Sequence, residues 1–243
     1  MAEVAGPELW NELDRLEQEL REREGPLLGR LGPAVAVLHD APAALVALSS
    51  SAPDQPHLIV AGEAIKRALE DLRALWILLE SGHPVAAWAV GADLWEHAML
   101  ATCAAGDAEF AGQFTKTEPI ERPEPGDLAM EAVKLLAGAG DDPERMMLEF
   151  SVGYEWLRQL KHKDYPALSR SGVTNADGAL PLGATPEPVS DFDDIRMLLA
   201  VAFIALRRAL AQLASALGID LAAEGSEWTA RLDGAWRIVQ ETR

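Results

Sequence analysis

Arg158 and His162 stand four residues apart in the stretch Tyr154-Glu-Trp-Leu-Arg-Gln-Leu-Lys-His-Lys-Asp-Tyr-Pro166. On a helix this spacing puts two side chains on one face, and Tyr154 falls one turn earlier on that face. A guanidinium can grip a phosphate or carboxylate through its bidentate fork, and an imidazole can shuttle a proton near neutral pH. Lys161 and Lys163 add attraction for an anion. Residues 155–170 hold four Lys or Arg against two acids, Glu155 and Asp164, in a chain of net charge −18. The candidate binding residues are therefore Tyr154, Arg158, Lys161, His162 and Lys163, with His162 and Arg158 the candidates for catalysis. A plainer account of the same residues is helix C-capping, where basic side chains in a last turn gain roughly 0.3–1 kcal/mol each from the helix dipole.

The other reactive groups are weaker candidates. The single Cys103 rules out an intramolecular disulfide and a cysteine-based zinc cluster, and it falls in an apolar helical pattern that suits an inert core thiol. Of the five histidines, His83 completes the letters Glu80-x-x-His83, but Gly82 and Pro84 break the helix that such a metal motif needs. Asp93 and His97 share a helix face and form at most half a metal site, more simply read as a solvated polar face. His39 and His57 carry no partner by spacing. No metal and no cofactor are expected. There is no glycine-rich phosphate loop between a strand and a helix, and no Gly-x-Ser-x-Gly elbow.

These groups need elements to position them, and the composition points to helices. Ala and Leu dominate over the β-branched and aromatic residues that favour strands, so the expected class is all-α. The acidic balance, with a pI near 4.6, opposes broad binding to nucleic acid or anionic membranes while leaving room for one local phosphate contact. The N-terminal residues lack the basic and apolar regions of a signal peptide. The most apolar run, Met197–Leu206, is short for a bilayer and ends at Arg207-Arg208. A soluble, cytoplasmic protein is expected.

The expected architecture is a multi-helix bundle forming one helical domain over 1–243, with N-terminal helices in 1–50 packing on a core bundle of 56–242. An amphipathic helix over 8–24 carries Leu9, Leu13, Leu16 and Leu20 and the favourable pairs Glu17–Arg21 and Glu19–Arg23, and Gly25-Pro26 should stop it. Short helices follow near 33–40 and 42–49. The helices over 56–81 and 84–105, joined by about three residues, should pack as an antiparallel hairpin at the heart of the bundle. Asp107 should cap a short helix, and 127–137 and a helix begun by Asp142-Pro143 should follow. That last helix should face inward through Met147, Phe150, Leu157 and Leu160. A long irregular loop, 167–190, abuts its end, with a β-hairpin readable around Asn175–Gly178. Helices over 191–217 and 226–242 complete the chain.

A helical bundle with Arg and His close together on a late helix resembles the HEPN-like superfamily, and Tyr154–His162 is similar to the Leu-x-x-x-His helix end of some of its bacterial members. The resemblance implies an all-helical fold and a homodimer formed through that helix. It also implies, in active members, metal-independent RNA cleavage by an Arg-x4–6-His motif. Three residues separate Arg158 from His162 here, so the leading expectation is a non-catalytic interaction or ligand-binding module. The alternatives are a ribonuclease of toxin or defence type using Arg158 and His162, and a bundle enclosing a small apolar ligand between its tryptophan stripes.

Overall fold

Periodicity settles the class: a computed structural model of the chain is helical throughout, with no strand among its described residues. It describes residues 7–40, 42–50, 54–115, 124–138, 142–161, 192–221 and 227–242. The helices are α1 (Pro7–Leu28), α2 (Gly32–Asp40), α3 (Ala43–Ser50), α4 (Pro56–Glu80), α5 (Pro84–Gly106), α6 (Ala108–Gly112), α7 (Pro125–Gly138), α8 (Pro143–Lys161), α9 (Phe192–Ala216) and α10 (Glu227–Glu241), with a 3-10 turn at Gln113–Thr115. The loop expected at 167–190 and its hairpin lie outside the described residues.

The α4–α5 hairpin forms as its sequence demands. The apolar stripe of α4 is buried at Leu58, Ala61, Ile65, Ala68, Leu72 and Leu79. Gly82, at φ 77°, ends the helix, with its N–H donating to Leu79 O and the His83 N–H to Leu78 O. This pair of bonds satisfies the last carbonyls of α4 and needs a left-handed residue, which glycine adopts without a Cβ clash. Gly218, at φ 73°, closes α9 in the same way, with Ile219 N donating to Ala214 O.

α5 is the helix the others gather round. It is rich in Ala, Gly and Trp and packs against α4, α7, α8 and α9, leaving one partly exposed stripe through Ala86, Ala89, Asp93, Glu96 and His97. A helix this apolar is stable only when neighbours cover its remaining faces. Gly91 makes the closest approach possible. A Cβ built there would lie 2.5 Å from Leu198 Cδ1, 3.4 Å from Leu75 Cδ1 and 3.5 Å from Leu157 Cδ2. Three helices, α9, α4 and α8, thus converge where the side chain is missing. One hydrophobic core runs from Leu28 to Val239, with α2 laid on α10 and α3 on α4.

Three local expectations are corrected. Gly25-Pro26 does not stop α1, which continues to Leu28. An interior proline costs about 3 kcal/mol, but burying Leu28 and Leu31 in the core returns about 1.5–3 kcal/mol each. The carbonyl that Pro26 cannot serve belongs to exposed Glu22. The pairs Glu17–Arg21 and Glu19–Arg23 do not form either: Glu19 pairs with Arg15, while Glu17 and Arg21 reach across to the α4–α5 turn. Finally, the buried methionine of α8 is Met146 rather than Met147, which is half-buried, so the inward face runs Met146, Phe150, Gly153, Leu157.

α9 contains a stretch, Asp193–Ala216, long and apolar enough by length and composition to cross a membrane, which runs past the Arg pair expected to end it. Of its most apolar window, 61% is buried within the protein. The convergence at Gly91 predicts that Gly91→Val lowers unfolding free energy by about 1–3 kcal/mol through overpacking. Gly234, in α10 with no atom within 4 Å of a built Cβ, should behave oppositely. Gly234→Ala should raise stability by about 0.5–1 kcal/mol through helix propensity. Urea unfolding of the two variants checks both signs.

Candidate functional site

The sequence candidates divide between core and undescribed chain. Tyr154 sits in the third quarter of α8, half-buried, with its ring 4.6 Å from that of Trp95 at an interplanar angle of 34°. Trp95 is buried and meets Phe150 edge-on at 6.5 Å. Tyr154 therefore belongs to an aromatic cluster joining α5 to α8. Arg158 and Lys161 fall in the end of α8, with Lys161 its last residue. His162 and Lys163 lie outside the described residues, so the geometry of Arg158 against His162 is not defined.

The remaining reactive groups have structural partners. Cys103 is fully buried with its Sγ 3.5 Å from Leu128 O, and burial, reinforced by the charges of Glu131 and Asp107, pushes its thiol up to about 12. Such a thiol is protonated and inert at neutral pH. His97 Nδ1 lies 2.7 Å from Asp71 Oδ2 on α4, tying the two hairpin helices. His83 Nε2 lies 3.1 Å from Glu17 Oε1 of α1. Among the described residues no three His, Cys, Asp or Glu side chains cluster as metal ligands would.

A different set of residues comes together between α8, α9 and α10. Arg145, Glu149, Phe203, Ile204, Arg207, Arg208, Ala211 and Trp236 line a cavity of about 320 Å³. Arg145 and Glu149 are one turn apart on α8, and Arg207 and Arg208 lie on α9 one turn beyond Phe203. The Glu149 carboxylate sits between two guanidiniums, with Arg145 Nε 3.5 Å from Oε1 and Arg208 Nη2 3.7 Å from Oε2. These exceed the 2.7–2.9 Å typical of a charge-assisted hydrogen bond, so the carboxylate is held loosely. Arg207 Nη2 meets Asp233 Oδ1 of α10 at 3.0 Å.

The aromatic wall of this groove is set by α10. Trp236 is half-buried against buried Phe203, their ring centroids 5.0 Å apart. Arg196, in the first turns of α9, fixes the end of α10 by donating to Val239 O at 3.1 Å and Gln240 O at 2.6 Å. Those carbonyls have no partner within their helix, so one side chain caps α10 and sets where Trp236 lies.

No protein-family model matches this chain, and no curated protein or solved structure matches it either. The site reading rests on geometry alone. Sequence reasoning passed over the groove because Arg145 and Arg207 are far apart along the chain. The two signals that bore on it were the Arg207-Arg208 pair inside an apolar stripe and the Arg145–Glu149 spacing.

Two consequences can be measured. Tyr154→Ala should cost about 1–3 kcal/mol of stability, through lost ring burial and lost contact with Trp95. Iodoacetamide at pH 8 should leave Cys103 unlabelled in the native protein and label it on unfolding in urea, read by intact-mass spectrometry.

Proposed function

We propose that the protein is a non-catalytic ligand-binding module that takes a small anion in the Arg145–Arg207–Arg208 groove. The observation that carries this reading is the meeting of three guanidiniums from two helices in one groove, faced among the described residues by the carboxylates of Glu149 and Asp233, in a chain of net charge −18. Guanidiniums are the groups of choice for phosphate and carboxylate because their forked donors match two oxygens at once. The surrounding negative charge opposes long polyanions while a compact anion, seated within a Debye length of the arginines, feels mainly the local field. The volume, about 320 Å³, falls at the small end of ligand sites.

The HEPN-like reading supports the same general role, a helical interaction module, and carries the ribonuclease alternative through Arg158 and His162. The two make separate expectations. For the binding module, calorimetric titration of inorganic phosphate at low ionic strength should give saturable binding. Arg145→Gln combined with Arg208→Gln should weaken it at least ten-fold, and Arg67→Gln, on the exposed side of α4, should leave it unchanged. Absence of saturable binding by inorganic phosphate and by phosphate monoesters alike would remove this reading. For the ribonuclease, RNA should be cut in the presence of EDTA and spared by His162→Ala.

A further inference from the structure

The groove carries an aromatic surface beside its charges, and a carboxylate already lies where an anion would sit. From these two features we infer that its ligand is a flat aromatic anion, an aryl phosphate or aryl carboxylate, whose acidic group displaces Glu149 while its ring packs against Trp236. This inference rests on the anion-binding reading above and specifies the ligand for the same groove.

Glu149 supplies the first half of the argument. One of its oxygens lies 3.5 Å from Arg145 Nε and the other 3.7 Å from Arg208 Nη2, and its side chain remains 30% exposed. It is an internal counter-anion, close enough to neutralise the guanidiniums and too far to make strong hydrogen bonds with either. An incoming phosphate or carboxylate with better geometry can replace it, because a bidentate contact at normal length outcompetes two long ones. Glu149 can turn toward water when displaced, since it stands at the surface of α8 and not within the core.

Trp236 supplies the second half. It lines both this groove and a neighbouring cavity of about 270 Å³ formed with Arg196, Met197 and Val239, so indole surface is available beside the arginines. Phe203 backs the indole and Arg196 fixes the helix that carries it, which keeps the wall in place without a ligand. A ring with an attached acid satisfies both features at once: stacking on the indole, and charge on the guanidiniums. An inorganic anion would use only the charges, and an apolar ligand would leave the arginines without a new partner.

The test compares inorganic phosphate, cyclohexyl phosphate and phenyl phosphate by calorimetry on the full chain at low ionic strength. Phenyl phosphate should bind at least ten-fold more tightly than inorganic phosphate and several-fold more tightly than cyclohexyl phosphate. Trp236→Leu should abolish the phenyl advantage while inorganic phosphate affinity stays within two-fold, with helicity by circular dichroism confirming the fold. Glu149→Gln should tighten binding of all three by roughly five-fold, the gain expected from removing one competing charge at this partly exposed site. Equal affinity for phenyl and inorganic phosphate would overturn the aromatic specificity and leave the anion site standing. Unchanged or weaker binding in Glu149→Gln would overturn the displacement. No binding of any of the three, in wild type and in Glu149→Gln, would remove the anion site itself. The comparison of the three phosphates on the wild-type protein needs no substitution, so it decides the aromatic question even where Trp236→Leu fails to fold.

Discussion

Burial of most of α5 is the constraint on which the remaining structure depends. Its twenty-three residues include Trp88, Trp95, Met99 and Cys103 together with a run of Ala and Gly, and they leave little polar surface to face water. Such a helix must be covered, and its small residues let the covering helices come close. Gly91 marks the tightest point of α5, where Leu198 of α9 takes the space a side chain would have filled and leucines of α4 and α8 close round it. The placement of α8 beside α9 follows from that convergence. The groove between α8, α9 and α10 is therefore a consequence of how α5 is buried.

Several charged side chains hold helices to one another where local pairing was open to them. Glu17 and Arg21 could have paired along α1, as their spacing favours, yet they reach His83 and Ser81 at the α4–α5 turn. His97 joins α5 to Asp71 on α4, and Arg196 joins α9 to the end of α10. An exposed i,i+4 pair is worth only about 0.3–0.5 kcal/mol, so a partly buried partner on another helix easily displaces it. The arginine groove differs from these clasps. There the contacts to Glu149 are long and a cavity lies beside them.

The aromatic residues illustrate the same division between scaffold and site. Trp95, Phe150 and Tyr154 form a cluster that welds α8 to α5, and this is the role Tyr154 has among the residues picked from the sequence. Phe203 and Trp236 form a second pair, but Trp236 is half-buried and borders two cavities. Its surroundings, not its residue type, leave part of its indole bordering both cavities.

Much of the helical layout was legible in the chain because the signals are local. The stripes of α4, α5 and α9, the caps at Asp107 and Asp142, and the left-handed stops at Gly82 and Gly218 each depend on residues within one or two turns. The all-α class follows from them. Where a distant contact competes, local reading fails: α1 runs through Pro26 because Leu28 and Leu31 reach the core, and Met146 turns inward in place of the expected Met147. The groove was beyond local reading for the same reason. Arg145 and Arg207 are brought together only by the packing of α8 and α9 on α5, and no periodicity in either helix records which helix will lie opposite. The sequence alone determined the helices and their inward faces, since hydrogen bonding and burial act over a few residues. Tertiary structure decided which charges meet, because that depends on how separate helices cross.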